Sequence, residues 1–534
     1  MRQILTKGLA LACISSGATG FAPSFGDQAQ CLSKHNRRQR PRTMLRISSL
    51  SVENDAIDIA ENAAREISWM ESWATDNGIQ RIDGFNLVEE KNDMNGSKEV
   101  YATTLQDVAA GSPVLVVPEA LILSSSKAMA ELRTPEMEEA EAVLTNNGAF
   151  ESEYRHWYLM LKVLKEIQNG RDSPWYHWLN SLPRIYTNAA SMTDFCMLCL
   201  PPLMRKLAEE ERENQRRLSS TESIMSVPFL SDDIKYHTMD FCKWAYQIVY
   251  TRSVETEDGD LKIVPMADYF NHGSQDYTEV AASYDDVGNY VAYAAYDLAA
   301  GSVLRTQYAD PRNPSHLLAR YGFLDEECPA TYCKLLPPIV NQDMIDLGYA
   351  YDRMLFYRTG EVADEVWDLF LYQHLSMTNI DDQQALMQSH RQGDYETKLA
   401  LHEKHYAATS SALLEHVDGF IEDINKVIKK AETIGVTDPN SIYIKCEHPR
   451  LPLIHRHNLF VRETFQNVRS RYSEDADVNW RDATRVTVQE CDDNECAIAE
   501  CVMDFQGNWL CEGGLGPNWD GSEREKTKTI IAAQ

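Results

Sequence analysis

Ile263-Val264-Pro265-Met266-Ala267-Asp268-Tyr269-Phe270-Asn271-His272 reads as an apolar strand that ends in a D-x-x-N-H turn. A second block follows: Gly301-Ser302-Val303-Leu304-Arg305-Thr306-Gln307-Tyr308, then Asn313, then Arg320-Tyr321-Gly322-Phe323. The first part of this block has the pattern of a strand opened by a glycine turn and closed by a tyrosine. D-x-x-N-H alone arises by chance in many loops. The order of the pieces, their spacing and their place on predicted strands carry the reading.

Around these motifs the chain has the length and apolar content for two or three domains with real cores: 534 residues, 43% hydrophobic. Its 51 Lys+Arg stand against 81 Asp+Glu, a net charge of −30. Such a surface repels phosphate backbones, so nucleic acid is not expected as a partner, and a basic protein segment is the better electrostatic match. Acidity of this kind also simply keeps a protein in solution.

The charge is uneven. Residues 1–50 hold eight basic side chains and one acid, Asp27, so the remainder is more acidic than the whole. Arg2 and Lys7 flank the short apolar run Gly8–Ile14, which small residues follow. This reads as a signal peptide, too short to span a membrane as a helix. Phe21-Ala22-Pro23 and an Arg-rich, acid-poor stretch come next. Together they resemble the bipartite plastid presequences of diatoms and related algae, which implies a plastid location; a plain secretory signal with a basic linker is the alternative. No other apolar run approaches the ~20 residues of a membrane span, so no membrane partner is expected for the mature form.

Twelve cysteines in a chain this long do not make a disulfide scaffold. Cys196-x-x-Cys199 lies in an apolar, helical pattern with no second pair nearby, and helix packing explains it better than zinc. Cys491, Cys496, Cys501 and Cys511 have spacings that fit no common zinc site, and no metal is assigned. Gly513-Gly514-Leu515-Gly516 reads as a turn rather than a dinucleotide fingerprint, and no phosphate-cradling loop is present in the sequence.

Val52 to Asp76 reads as a helix stopped by Asn77-Gly78. Phe85–Val88, Val100–Thr103 and Pro113–Val117 have β patterns, the last after the turn Ala110-Gly111. From about 126 to 250 the period is helical, with Tyr154–Ile167 and Met192–Arg217 as long segments, interrupted at Ser173-Pro174-Trp175 and Leu182-Pro183. Strands return from Lys262 to Leu304. Arg358–Leu375 and Tyr395–Ala431 are helical again, and Ser473–Asp477 reads as an acidic loop.

The P-M-A-D-x-x-N-H wording, the G-x-V-x-x-x-Y strand and the N-x-S-x-x-L-x-x-Y-G-F spacing resemble the catalytic half of SET-domain protein methyltransferases. The closest wording is that of the Rubisco large-subunit lysine methyltransferase branch. The resemblance covers residues ~70–470, with its specific motifs between 244 and 323. It implies an α+β fold: a split β-rich SET fold with a helical insertion, followed by a mainly α-helical C-terminal domain. The divisions implied are 1–50 presequence, 51–125 N-terminal helix and first half of the SET domain, and 126–240 helical insertion. After these come 241–330, the catalytic half, and 331–534, a helical substrate-docking domain with a divergent tail.

The resemblance also implies S-adenosyl-L-methionine as cofactor. Asn271 and His272 would meet its amino-acid or adenine portion, Arg252 its carboxylate, and Phe323 would pack under adenine. Asp268 would touch ligand or cap its turn. Tyr308 would be catalytic, its hydroxyl aimed at the reacting nitrogen and methyl, with Tyr321 in a similar catalytic role lining the channel, and both would also contact the cofactor. For each there is a plainer alternative: a core histidine, an aromatic packed on the sheet, a surface ion pair for Arg252.

Two departures stand out. The family's first cofactor loop carries G-x-G before a strand, because bare backbone must approach the ligand; here Asn95-Gly96-Ser97-Lys98-Glu99-Val100 has Gly96 alone. Two residues after Arg252, where the family has an aromatic or Asn, stands Val254. The expected activity is methylation of a lysine side chain of a protein, with Rubisco large subunit or another plastid protein as the implied substrate. A histidine methyltransferase and a catalytically weak interaction module are the alternatives. Substrate, methylation state and oligomeric state are not legible.

Overall fold

The computed structural model describes residues 57–473, apart from 62, 92–97, 237, 274–277, 309–313, 327, 329, 333–339, 350–353 and 439, and the backbone of four later strands. Gly96, Asn313 and the N-terminal 50 residues lie outside the described residues.

The β region is assembled from both sides of a helical block. Before the block come β1 (Gln80–Arg81), β2 (Phe85–Lys91), β3 (Lys98–Thr104), β4 (Pro113–Val117) and β5 (Leu123–Ser124). After it come β6 (Val254–Glu255), β7 (Leu261–Ile263), β8 (Asn271–His272), β9 (Val280–Tyr284), β10 (Tyr290–Ala294) and β11 (Arg305–Thr306). One sheet has the order β1-β4-β10-β9, so β4 pairs antiparallel with a strand more than 170 residues on, Val116 opposite Val291. β5 pairs with β7, Leu123 opposite Ile263. The backbone N–H of Leu304 donates to Ala102 O and that of Thr104 to Ser302 O, tying β3 to the run that leads into β11. The expected split β fold is therefore present. Val114, Leu115 and Val117 are buried, and the small Ala292 opposite Leu115 and Ala294 beyond it let neighbouring layers close.

The block between the halves is helical, with Trp157, Tyr158 and Trp178 among its fully buried side chains. The run expected as one helix, Met192–Arg217, is two, Asp194–Leu198 and Pro202–Leu218. Pro201-Pro202 explains the break: residue 201 has no N–H to donate, and Pro202 disfavours helical backbone before it. Cys196 and Cys199 sit at that junction as buried free thiols in an apolar cluster with Met204 and Ile454. The helix expected over 52–76 is also shorter, Met70–Asp76. Upstream of it the chain is held by other contacts: Glu66 N–H donates to Asn180 O and Arg65 Nε to Ser181 O at 2.7 Å. Tertiary anchoring overrides the helical composition there.

C-terminal helices Asp364–Thr378, Ile380–Gln392, Tyr395–Glu432 and Leu451–Tyr472 form a second core. Phe465 stacks on Phe420 (ring centroids 4.1 Å) and on Phe356 (4.9 Å). Inside it, Asp368 accepts from Lys398 Nζ (2.6 Å) and pairs with His402 Nε2 (2.9 Å), all three buried. The described part of the tail is not helical. Arg485–Cys491, Cys496–Met503, Trp509–Glu512 and Lys528–Ile531 form an antiparallel four-stranded sheet, as the alternation in Arg485-Val486-Thr487-Val488-Gln489 favours. Among the described residues no helix is long and apolar enough to cross a membrane.

Candidate active site

The D-x-x-N-H turn is built on a strained residue. Met266 has φ 72°, the sole non-glycine residue with positive φ among those described, and it opens the single turn Ala267–Tyr269. That turn delivers Asn271-His272 to β8, which runs parallel to β11 with Asn271 opposite Arg305 and His272 opposite Thr306. The two sequence blocks thus meet side by side. Tyr308 lies two residues beyond β11 rather than ending a long strand. Its backbone N–H donates to His272 Nδ1 at 3.1 Å, and its hydroxyl donates to Phe270 O at 2.5 Å.

Tyr321 donates its hydroxyl to Tyr308 O at 3.1 Å. His272, Tyr308, Tyr321 and Phe323 form one aromatic cluster, with ring centroids 5.2 Å apart for Tyr308–Tyr321 and 5.6 Å for His272–Phe323. Gly322 makes this possible. Its φ is 82°, and a Cβ there would come within 2.6 Å of Thr187 Oγ1 and collide with the backbone nitrogen of Asn188. Thr187 Oγ1 also donates to Gly322 O.

Asp268 does not cap its turn. Its side chain accepts from Arg252 Nε and from Trp178 Nε1, both at 3.1 Å and both to Oδ2. The Arg252–Asp268 pair is inside, with side chains 14% and 3% exposed, so it is no surface ion pair. Oδ1 of Asp268, Nε2 of His272 and the Tyr186 hydroxyl are buried without a partner. Burial raises the Asp268 carboxyl and the Tyr308 phenol and lowers His272. Val254, the second departure from the family wording, is exposed in β6.

Asn271, His272, Tyr308, Tyr321 and Phe323 are brought together, and Arg252 joins Asp268; Gly96 lies outside the described residues. Several neighbours had no signal in the sequence. Asn188 and Gln247 exchange side-chain amide bonds of 2.6 and 3.0 Å, and Asn188 also donates to Arg320 O at 2.9 Å. Trp178 lies between the helix interruptions at Ser173-Pro174-Trp175 and Leu182-Pro183, and its reach to Asp268 leaves no mark in the sequence. Trp178 and Gln247 sit in helices, where periodicity reports only burial, and Asn188 lies in a bend with no pattern to mark it. Among the described residues no three His, Cys, Asp or Glu side chains converge as a metal site.

No protein-family model matches this chain, and no curated protein does. Solved structures do match. The SET domain of LSMT bound to lysine and AdoHcy is 14% identical with a TM-score of 0.51, covering 77% of this chain and 92% of that one. Rubisco LSMT bound to sinefungin and monomethyllysine gives 14% identity, a TM-score of 0.51 and the same coverage. At this identity the likeness is one of fold: the chain has the SET architecture.

Proposed function

We propose that the chain is an S-adenosyl-L-methionine-dependent protein methyltransferase whose acceptor is a lysine side chain of a protein. The observation that carries this is the convergence of His272, Tyr308, Tyr321 and Phe323 beside the β8–β11 pair, in a fold shared with structures that hold AdoHcy and lysine. The residues present fit such a cofactor. The buried Nε2 of His272 lacks a protein partner, the Asn271 side chain is exposed, and Gly273 is buried with a Thr278 carbon 2.6 Å from where a Cβ would stand. Asn271, His272, Phe323 and Gly96 would hold it, with Arg252 and Asp268 close by. The cofactor supplies a methyl group made electrophilic by a sulfonium.

What this chain adds is orientation and exclusion of water. A lysine of ordinary pKa ~10.4 must lose its proton before attack, and desolvation between aromatic rings favours the neutral amine. Because the Tyr308 hydroxyl commits its proton to Phe270 O, its oxygen is left as an acceptor. An amine N–H donated to that oxygen leaves the nitrogen lone pair directed elsewhere. Tyr321 and Phe323 wall the same space. Positioning of this kind accounts for up to ~7–11 kcal/mol in well-oriented systems.

The mature chain, from about residue 50, should bind S-adenosylmethionine in a calorimetric titration and methylate lysine in a protein of a plastid stromal extract, read by mass spectrometry. Label on histidine would favour the histidine reading, and absence of binding would end both. The binding-only module has one observation in its favour: the single glycine of Asn95-Gly96-Ser97-Lys98-Glu99. It predicts cofactor binding without turnover. The plastid assignment is part of the proposal; secretion of a reporter fused to residues 1–50, in an alga with a secondary plastid, would refute it.

A further inference from the structure

Arg320 ends the helix Pro314–Arg320, and its guanidinium lies between two tyrosines. Its Cζ is 4.9 Å from the ring centroid of Tyr250 and 5.3 Å from that of Tyr321. Nε donates to Tyr250 O at 3.4 Å. Behind Tyr250 stands Glu211, whose Oε1 accepts from the Tyr250 hydroxyl while Oε2 is buried without a partner. Tyr246 stacks on Tyr250, centroids 5.2 Å apart at 12°. Burial pushes the Glu211 carboxyl up to about 7 and His156, 6.4 Å from Tyr250, down to about 4.

Nothing in the proposed chemistry uses this cluster, yet it ends on Tyr321. A guanidinium is flat, so it can lie against two rings at once, whereas an ammonium makes a point contact. The Tyr321 ring is then held at two places, its hydroxyl on Tyr308 O and its face against Arg320.

We propose that Arg320 is a positioning residue of the acceptor wall: wedged between Tyr250 and Tyr321, with Glu211 behind it, it keeps the Tyr321 ring closed against Tyr308. The functional half of this inference rests on the methyltransferase reading; the wedge itself does not. Loss of the wedge should slow transfer and leave cofactor binding alone, since Arg320 reaches the site through a ring that lines the acceptor side. Misplacement by about 1 Å costs up to roughly 10²-fold in rate.

The test uses the full mature chain with 3-fluorotyrosine at position 321. Arg320→Met should move the fluorine resonance and cut single-turnover methyl transfer to stromal protein by roughly 10- to 10²-fold. S-adenosylhomocysteine affinity should stay within about twofold of the parent by the same argument. Arg320→Lys, which keeps charge without the flat face, should restore only part of the rate. Should Arg320→Met fail to fold, Glu211→Gln keeps the shape and should move the same resonance less. An unchanged fluorine line, or transfer within about twofold of the parent, would overturn the wedge. If the parent itself binds no S-adenosylhomocysteine, the methyltransferase reading falls, and the fluorine comparison still decides whether Arg320 holds Tyr321.

Discussion

The backbone N–H of Tyr308 donates to Nδ1 of His272 across 3.1 Å, which leaves the neutral imidazole's proton on Nε2. Burial lowers the His272 pKa, so the neutral ring is the form present at pH 7, with a buried N–H that meets no protein acceptor. Replacing His272 by Phe keeps a ring but removes both hydrogen-bonding atoms. One hydrogen bond is worth about 0.5–1.5 kcal/mol, so the dissociation constant for S-adenosylmethionine should rise by roughly 2- to 10-fold. Calorimetry checks this, and unchanged affinity would make His272 a structural residue only.

Tyr308→Phe should act on turnover instead. The ring and its neighbours stay, while the oxygen that would receive the acceptor's N–H is lost. A single oriented group of this kind is worth ~2.7–4 kcal/mol, or roughly 10²–10³ in rate, with little change in cofactor affinity. The bond to Phe270 O goes too, so a stability loss of about 1 kcal/mol should accompany it. Turnover within about twofold of the parent would reduce Tyr308 to packing.

At Gly322 the expected effect is on folding. An alanine there is strained at φ 82° and collides with the Thr187–Asn188 backbone. Gly322→Ala should lower stability by about 2 kcal/mol or more, seen as a drop in thermal midpoint, and should reduce activity alongside it. A midpoint equal to the parent's would mean the Thr187 segment can withdraw.

Asp268→Ala would leave Arg252 buried beside Trp178 without its anion. Breaking one side of an enclosed ion pair costs about 3–5 kcal/mol. Denaturant unfolding should register that loss, and a change under about 1 kcal/mol would mean water enters to replace the carboxylate.

Acid should weaken the fold through buried histidines. His457 and His156 are both held near 4, down from an ordinary 6.5, chiefly by burial. The unfolded chain therefore takes up protons at pH values where the folded one does not. The stability these histidines contribute is complete above about 6.5 and is lost as pH falls toward 4. Glu211 works oppositely: held protonated up to about 7, it costs stability as pH rises from its ordinary 4.5. Thermal midpoints against pH should show His457→Gln flattening the acid limb and Glu211→Gln gaining stability at pH 8 relative to pH 5.

Legibility followed the range of the interactions. Pro113–Val117 and Tyr154 onward were readable because strand alternation and helical period are local. Asn271, His272, Tyr308, Tyr321 and Phe323 were readable because the motif wording fixes their order along the chain. The pairing of Trp178 with Asp268 and of Asn188 with Arg320 O spans 90 and 132 positions, and no local pattern encodes it. The 52–76 helix failed because Arg65 and Glu66 are tied to residues 180–181, a contact that composition cannot report. The tail's strands lie beyond the family resemblance, where the helical pattern it implies no longer holds.

The helical block leaves the β region at Ser124 and rejoins it at Val254, and both residues stand opposite Lys262 of β7. An excursion that departs and returns at one point can change in length without moving what lies on either side. The block nonetheless presses on the site at several places, among them Trp178 and Arg252 on Asp268, Tyr250 on Arg320 and the Thr187–Asn188 step on Gly322. Over descent, then, this chain should behave as two materials: a block free to gain or shed helices, pinned by a few short contacts that cannot drift without the aromatic cluster drifting too.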